Sequence, residues 1–321
     1  MAPLKNVKVL RAMPVRTIYA NLPTEKPNPR SERLDQLTPL EIVSLMNRED
    51  RRVVEAIGRV RGEVARGISF ISSALARGGR LFFVGAGTSG RLGVLESAEC
   101  PPTFNTRPSQ VQALMAGGKR AVFRSREGAE DREAEARRLI RARVRKGDIV
   151  VGIAASGVTP FVRAALAEAK RRRAQRILIA CDSASPLIRL ADLVIAVRVG
   201  PEVITGSTRL KAGSATKMIL NMLTTASMVQ LGKVYGNWMV DLQPNSKKLK
   251  ARALRLIENL GGVSPIHARR YLVRAHGRAK VAILMARTRL GYHQALRKLA
   301  ESHDSLRACL EQPNTLGNRV K

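Results

Sequence analysis

The sequence predicts a doubly wound α/β domain: a five-stranded parallel sheet between two layers of helices, preceded by further helices and followed by a small helical bundle. Three observations carry this expectation. Five short runs, "RLFFVG" (80–85), "VQALMAG" (111–117), "DIVVGIAA" (148–155), "RILIAC" (176–181) and "DLVIAV" (192–197), are almost continuously apolar, as strands covered on both faces must be. Helical character or a loop separates each run from the next, which implies parallel strands joined by right-handed crossovers. Beyond residue 245 the strand signal disappears, and "PIHARRYLVRAHGRAKVAILMAR" and "GYHQALRKLAESHDSLRACLEQ" keep a helical period between glycines.

In chain order, residues 1–36 are rich in Pro, Arg and polar side chains and read as an irregular basic arm. The first firm helix start is "LTPLE": Thr38 as N-cap, Pro39 at the first helical position and Glu41 three residues after the cap make a capping box. From 51 to 78 the apolar spacing predicts one long amphipathic helix stopped by Gly78 and Gly79. The stretch 207–233 reads as another long helix whose methionines pack into the core. The division expected is an arm over 1–36, the α/β domain with its N-terminal helices over 37–245 and a small helical C-terminal domain over 246–321.

Composition bounds the function. At 321 residues with 45% hydrophobic side chains the chain can bury a sizeable core, although aromatics are only 3% of it. No apolar run approaches the roughly 18 to 20 residues that span a bilayer, and the N-terminus has no signal-peptide pattern, so a cytoplasmic protein with no membrane partner is expected. Three widely spaced cysteines, Cys100, Cys181 and Cys309, fit neither a disulfide framework nor a zinc site. Fifty-seven Lys and Arg against twenty-five Asp and Glu give a net charge of +32. That charge attracts polyanions nonspecifically, yet no motif for specific nucleic-acid recognition accompanies it.

Two loops fit the place where open parallel sheets bind ligands, beyond the carboxyl ends of strands where helix N-termini present free N–H groups. "GAGTSGR" (85–91) follows the first strand, with Thr88 and Ser89 offering hydroxyls. Although G-x-G-x-x-G is formally present, no acidic residue ends the second strand to hold a ribose, and no Gly-Lys-Ser/Thr follows to make a P-loop. "AASGVTP" (154–160) follows the third strand and offers Ser156, Gly157 and Thr159. A pair of hydroxyl-rich loops on neighbouring strands suits a sugar phosphate better than a nucleotide.

Two carboxylates lie between these loops in sequence. Glu99 sits in "SAECPP", where Pro101 and Pro102 are expected to end the helix, and Glu130 sits in "EGAED" after Gly128. Each is either a catalytic acid or base or a plain structural charge, Glu99 at the end of a helix and Glu130 at a helix N-terminus favoured by the dipole; Glu96, Glu127 and Asp131 compete for the same roles. Cys100 is read as packing, since every histidine falls at 267 or later.

The blocks "GAGTSGRLGVLESAECPPTF", "EGAED", "VVGIAASGVTPFV", "EVITGSTRLKAGSATKMILNML" and "NWMVDLQPNSKKLKARALRL" resemble, in order, those of the N-acetylmuramic acid 6-phosphate etherases. These are cytoplasmic bacterial enzymes of the SIS (sugar isomerase) fold, a three-layer α-β-α architecture. Glucokinase regulatory protein shares the fold without catalysis, and sugar-phosphate isomerases share its phosphate loops. The resemblance implies a carbon–oxygen lyase of cell-wall sugar recycling that releases D-lactate and N-acetylglucosamine 6-phosphate by elimination and then water addition. It implies no metal and no cofactor, a phosphorylated amino sugar as substrate, and a homodimer with sites near the subunit interface. Residue by residue, it implies Glu99 as proton donor to the leaving lactate and Glu130 as the base at C2. Thr88, Ser89, Ser156, Gly157 and Thr159 become sugar-phosphate ligands, and Lys248 a cation for the phosphate or the lactyl carboxylate. Position 158 is Val where many members have Arg, and Lys247 stands where the family tends to have Glu. The alternative is a non-catalytic sugar-phosphate-binding regulator of the same fold.

Overall fold

A computed structural model describes residues 22–311. Its centre is a parallel five-stranded sheet of β1 (Leu81–Gly85), β2 (Val111–Met115), β3 (Ile149–Ile153), β4 (Gln175–Ala180) and β5 (Leu193–Ala196), in the order β2-β1-β3-β4-β5. Each strand of this sheet coincides with one of the five predicted runs, β4 beginning one residue earlier at Gln175. Register is direct, with Leu81 beside Val111 on one side and Ile149 on the other.

The sheet is buried on both faces, so alternate residues feed two separate cores. Leu81, Phe83, Val151, Ile177 and Ile195 point to one side. There they meet α1 (Pro39–Arg59), α2 (Arg61–Ala76), α3 (Gly87–Phe104) and α7 (Lys211–Gln230). Phe82, Val84, Val150 and Leu178 point to the other, against α5 (Glu133–Arg143) and α6 (Pro160–Arg171). The short α4 (Gly118–Phe123) sits beside β2 and α3.

A third apolar cluster gathers α8 (Lys247–Gly261), α9 (Pro265–Arg274), α10 (Ala279–Thr288), α11 (Tyr292–Glu301) and α12 (Leu306–Glu311). It also takes in Val240, Leu242 and the small hairpin of β6 (Val234–Tyr235) and β7 (Trp238–Met239), which the sequence reading missed because two-residue strands carry no periodic signal. No helix among the described residues is long and apolar enough to cross a membrane.

Four expectations need correction. The helix expected over 51–78 is two helices: α1 starts at the Thr38–Glu41 capping box and runs to Arg59, and the chain breaks at Val60 (φ −108°, ψ 17°). Gly58 and Gly62 flank this β-branched residue and lower the helix propensity on both sides. The prolines after Cys100 do not stop α3, which continues to Phe104. Proline φ is itself helical, the Asn105 N–H closes the last turn on Pro101 O at 2.9 Å, and Asn105 in the left-handed conformation (φ 54°) ends it. Of the methionines in α7, Met228 is fully buried and Met218 packs against the core, but Met222 is 39% exposed. Residues 22–36 of the basic arm form three single 3-10 turns docked on the domain, with Leu22, Thr24 and Asn28 buried; residues 1–21 and 312–321 lie outside the described residues.

Asn28 anchors that arm by donating to Glu49 at 2.9 Å and to Pro201 O at 3.2 Å. Glu49 also takes the fully buried Lys211 ammonium at 2.5 Å. Desolvation opposes the charge of Glu49 most strongly, but the bonds from Lys211 and Asn28 outweigh it and hold the carboxyl below its usual range. Removing either member of such a buried pair strands the other charge.

Candidate active site

The N-termini of α3 and α6 stand at the carboxyl ends of the adjacent strands β1 and β3. Their free N–H groups and dipoles favour an anion there. Close packing forces the first turn into place: a Cβ on Gly90 would lie 2.7 Å from both Gly85 O and Met115 Cγ, so α3 approaches β1 at a distance only glycine permits. Thr88 and Ser89 follow in the first turn of α3, half-buried. Gly157 has φ +76°, and a Cβ there would meet Ser185 Cβ at 2.6 Å. Ser185 clamps this turn by donating to Gly157 O at 2.5 Å and accepting from Leu187 N at 3.1 Å.

Thr159 is the N-cap of α6, yet its side chain makes no cap bond. Among the described residues, none of the hydroxyls of Thr88, Ser89, Ser156 or Thr159 has a protein partner. Four half-buried hydroxyls without partners, beside two helix N-termini, are the candidate cradle for one multiply charged anion. α7 also begins nearby, since a Cβ on Gly213 would lie 3.6 Å from Thr88 Cγ2. Its N-terminus is already closed: buried Glu202 accepts from Lys211 N and Ala212 N, both at 2.9 Å. Burial pushes the Glu202 carboxyl up, against the two N–H bonds.

Because Gly157 needs the left-handed region and has no room for a methyl group, Gly157→Ala is expected to cost about 2 kcal/mol or more of stability. It should also displace the hydroxyls of Ser156 and Thr159. Thermal denaturation and titration with a sugar phosphate measure both effects; unchanged melting with unchanged affinity would contradict this account of the turn.

Glu130 belongs to the same end of the sheet. The 3-10 turn Ala129–Asp131 follows β2 and α4, and Ala129 packs into the core below it. The residue is solvent-exposed as a whole, but enough protein surrounds its carboxyl that desolvation is the main cause raising its pKa. Repulsion from Asp131 and Glu127 adds to it. A carboxylate shifted upward in this way is a better base.

Glu99 is elsewhere. It lies ten and eleven residues along α3 from Ser89 and Thr88, which at 1.5 Å per residue is about 15 to 17 Å. The residue is exposed near the end of α3, toward the amino ends of the strands. At that end Gln243 donates to Asn105, and Asn245 donates to Gln243 at 2.9 Å. This docks the segment that leads into Lys248, which is exposed in the first turn of α8. The eight predicted residues therefore form two groups. Thr88, Ser89, Ser156, Gly157, Thr159 and Glu130 gather at the carboxyl end of the sheet, whereas Glu99 lies at the far end of α3 and Lys248 follows the segment docked there.

Between these groups lies a polar contact the sequence reading missed. Glu96, buried on α3, accepts from Asn221 Nδ2 at 2.7 Å and from the Thr224 hydroxyl. Burial first, then the negative charge of Glu99, raises its pKa against the pull of Thr224, Lys217 and Asn221. The sequence signal was available, since Lys217, Asn221 and Thr224 follow a spacing of four and three, which puts them on one face of the helix. Cys100 is buried and its thiol is pushed up to about 12, mainly by burial, with Glu96 and Glu99 adding repulsion. It stays protonated at neutral pH and is no nucleophile.

The chain matches the glucokinase regulatory protein N-terminal SIS domain over residues 63–170 and the SIS domain over residues 130–226. It is similar to proteins named N-acetylmuramic acid 6-phosphate etherase. One from Geobacillus thermodenitrificans is 48% identical over 91% of this chain and 99% of its own length. Another, from Microcystis aeruginosa, is 49% identical over 92% of this chain and 97% of its own. A third, from Synechocystis, is 47% identical over 91% and 96%.

Proposed function

The chain belongs to the N-acetylmuramic acid 6-phosphate etherase family, and from that premise we propose that it cleaves the D-lactyl ether of N-acetylmuramic acid 6-phosphate. The products are N-acetylglucosamine 6-phosphate and D-lactate. The observation that carries this reading is near-full-length similarity to the named etherases, joined to a cradle of partnerless hydroxyls where a sugar phosphate would sit.

An unactivated ether resists direct hydrolysis, so the route is elimination. In the open-chain sugar, the C2 hydrogen is acidified by the C1 aldehyde. Glu130 removes that proton while the C3–O bond breaks and Glu99 protonates the departing lactyl oxygen. Water then adds at C3 of the unsaturated aldehyde, which restores the hydroxyl. Raised basicity at Glu130 serves the first step, and an acid open to solvent at Glu99 serves the second.

The cradle and Glu99 of one copy lie far apart for one sugar to bridge. Five bonds of about 1.5 Å separate C3 from phosphorus, a reach of roughly 6 to 7 Å, against about 15 to 17 Å along α3. We propose that the enzyme is a homodimer in which the cradle and Glu130 of one copy meet Glu99 of the other. The exposed flank of α3, from its first turns toward the Glu99 end, supports this. Leu95 on α3, Met222 on α7 and Phe123 at the end of α4 are 47%, 39% and 89% exposed, and Arg91 of α3 bonds Val122 O beside Phe123 at 2.9 Å. Exposed apolar side chains grouped on neighbouring elements mark an interface.

The direct test is incubation with N-acetylmuramic acid 6-phosphate and enzymatic measurement of D-lactate. Release in step with loss of substrate is expected. Binding without release would instead assign the chain to the sugar-phosphate-binding regulators of this fold.

A further inference from the structure

The substrate proposed above carries two anions, and the cradle accounts for only one of them. The other, the lactyl carboxylate, is one carbon away from the ether oxygen that Glu99 protonates. A cation that binds it must therefore lie close to Glu99, on the copy that supplies that residue.

α7 places such a cation there. Lys217, Asn221 and Thr224 lie on one face of the helix, as a spacing of four and then three residues requires, and that face meets α3 at Glu96. Lys217 donates to Asn221 Oδ1, one turn further along. Its ammonium is thereby drawn away from the α7 N-terminus, toward Glu96 and Glu99. The charges of Lys217 and Glu99 both act on the Glu96 carboxyl, so the three groups share one neighbourhood.

The environment of this lysine differs from that of Lys211, six residues earlier. Lys211 is fully buried and paired with Glu49 at 2.5 Å. Lys217 is exposed and forms no ion pair with any described residue. An ammonium oriented by an amide, open to solvent and in no salt bridge with a described residue, is arranged to receive an anion from outside.

We propose that Lys217, oriented by Asn221, binds the lactyl carboxylate of the substrate and thereby selects the ether-bearing sugar over sugar phosphates that lack the lactyl group. Asn221 is a positioning residue in this arrangement. Its amide holds the ammonium on one side and bonds Glu96 at 2.7 Å on the other, which ties the carboxylate site to the helix that carries Glu99. This assignment rests on the reading of Glu99 as donor to the lactyl oxygen.

The test compares two ligands on Lys217→Met. A lost charge-assisted hydrogen bond is worth about a 10- to 100-fold change in affinity. The variant should therefore show kcat/KM for N-acetylmuramic acid 6-phosphate lowered about 10- to 100-fold, mainly through KM. Calorimetric affinity for N-acetylglucosamine 6-phosphate, which lacks the lactyl group, should not change. Lys217→Arg keeps the charge and should recover part of the loss. Equal weakening of both ligands would make Lys217 a phosphate ligand and overturn the proposal, and so would no change in either. If the unmodified protein released no lactate, the etherase reading would fail by itself. The comparison of the two affinities would still decide whether Lys217 recognises the lactyl group.

Discussion

Glu99→Gln is expected to lower D-lactate release by about 10² to 10⁴-fold, the contribution of a well-placed general acid, with little change in KM. The glutamine keeps the size of the side chain but has no proton to give, and the exposed position of Glu99 leaves folding undisturbed. Glu130→Gln should lose lactate release as well, for a different reason that solvent exchange separates. Removing the C2 proton does not require the acid, so Glu99→Gln should still exchange the C2 hydrogen of N-acetylglucosamine 6-phosphate with deuterated water. Glu130→Gln should not. If both variants exchanged at the normal rate, Glu130 would not be the base. The pH profile follows with a definite sign. Glu130 must be ionised to act, and burial together with Asp131 and Glu127 raises its pKa. Activity should therefore fall with decreasing pH at a value above that of an ordinary glutamate, and acidic buffers should recover none of it.

The parts of the fold legible in the sequence are those fixed by local chemistry. Each strand is a run that must be apolar on both faces, and the α1 start follows from Thr38 and Glu41, whose mutual bonds form within four residues. The two hydroxyl-rich loops were legible for the same reason: glycines at tight approaches and hydroxyls at helix N-termini leave a signature in the sequence. What stayed hidden depends on geometry over longer distances. Pro101 and Pro102 look like a stop signal, yet proline fits the last turn of α3, where Asn105 ends the helix. Glu99 is named by its motif, but only the length and direction of α3 reveal that it is remote from the cradle of its own chain. The contact of Glu96 with Asn221 and Thr224 joins residues 125 and 128 positions apart, and Lys217 drew no notice in a helix read as core packing. The +32 charge has no counterpart in this site, and nothing in the structure explains it.

The division of the site between two copies is the central claim, and subunit complementation tests it most directly. Glu99→Gln and Glu130→Gln are each expected to be nearly inactive. Coexpressed in equal amounts, they should form heterodimers as about half of all dimers. If Glu99 of one copy serves the cradle and Glu130 of the other, one site in each heterodimer carries both substitutions and its second site carries neither. Lactate release should then recover to about a quarter of the unmodified rate, since half of the dimers have one of two sites intact. If instead Glu99 and Glu130 of the same chain act together, every site in the mixture carries a substitution. A mixture that released lactate no faster than the two variants alone would contradict the account.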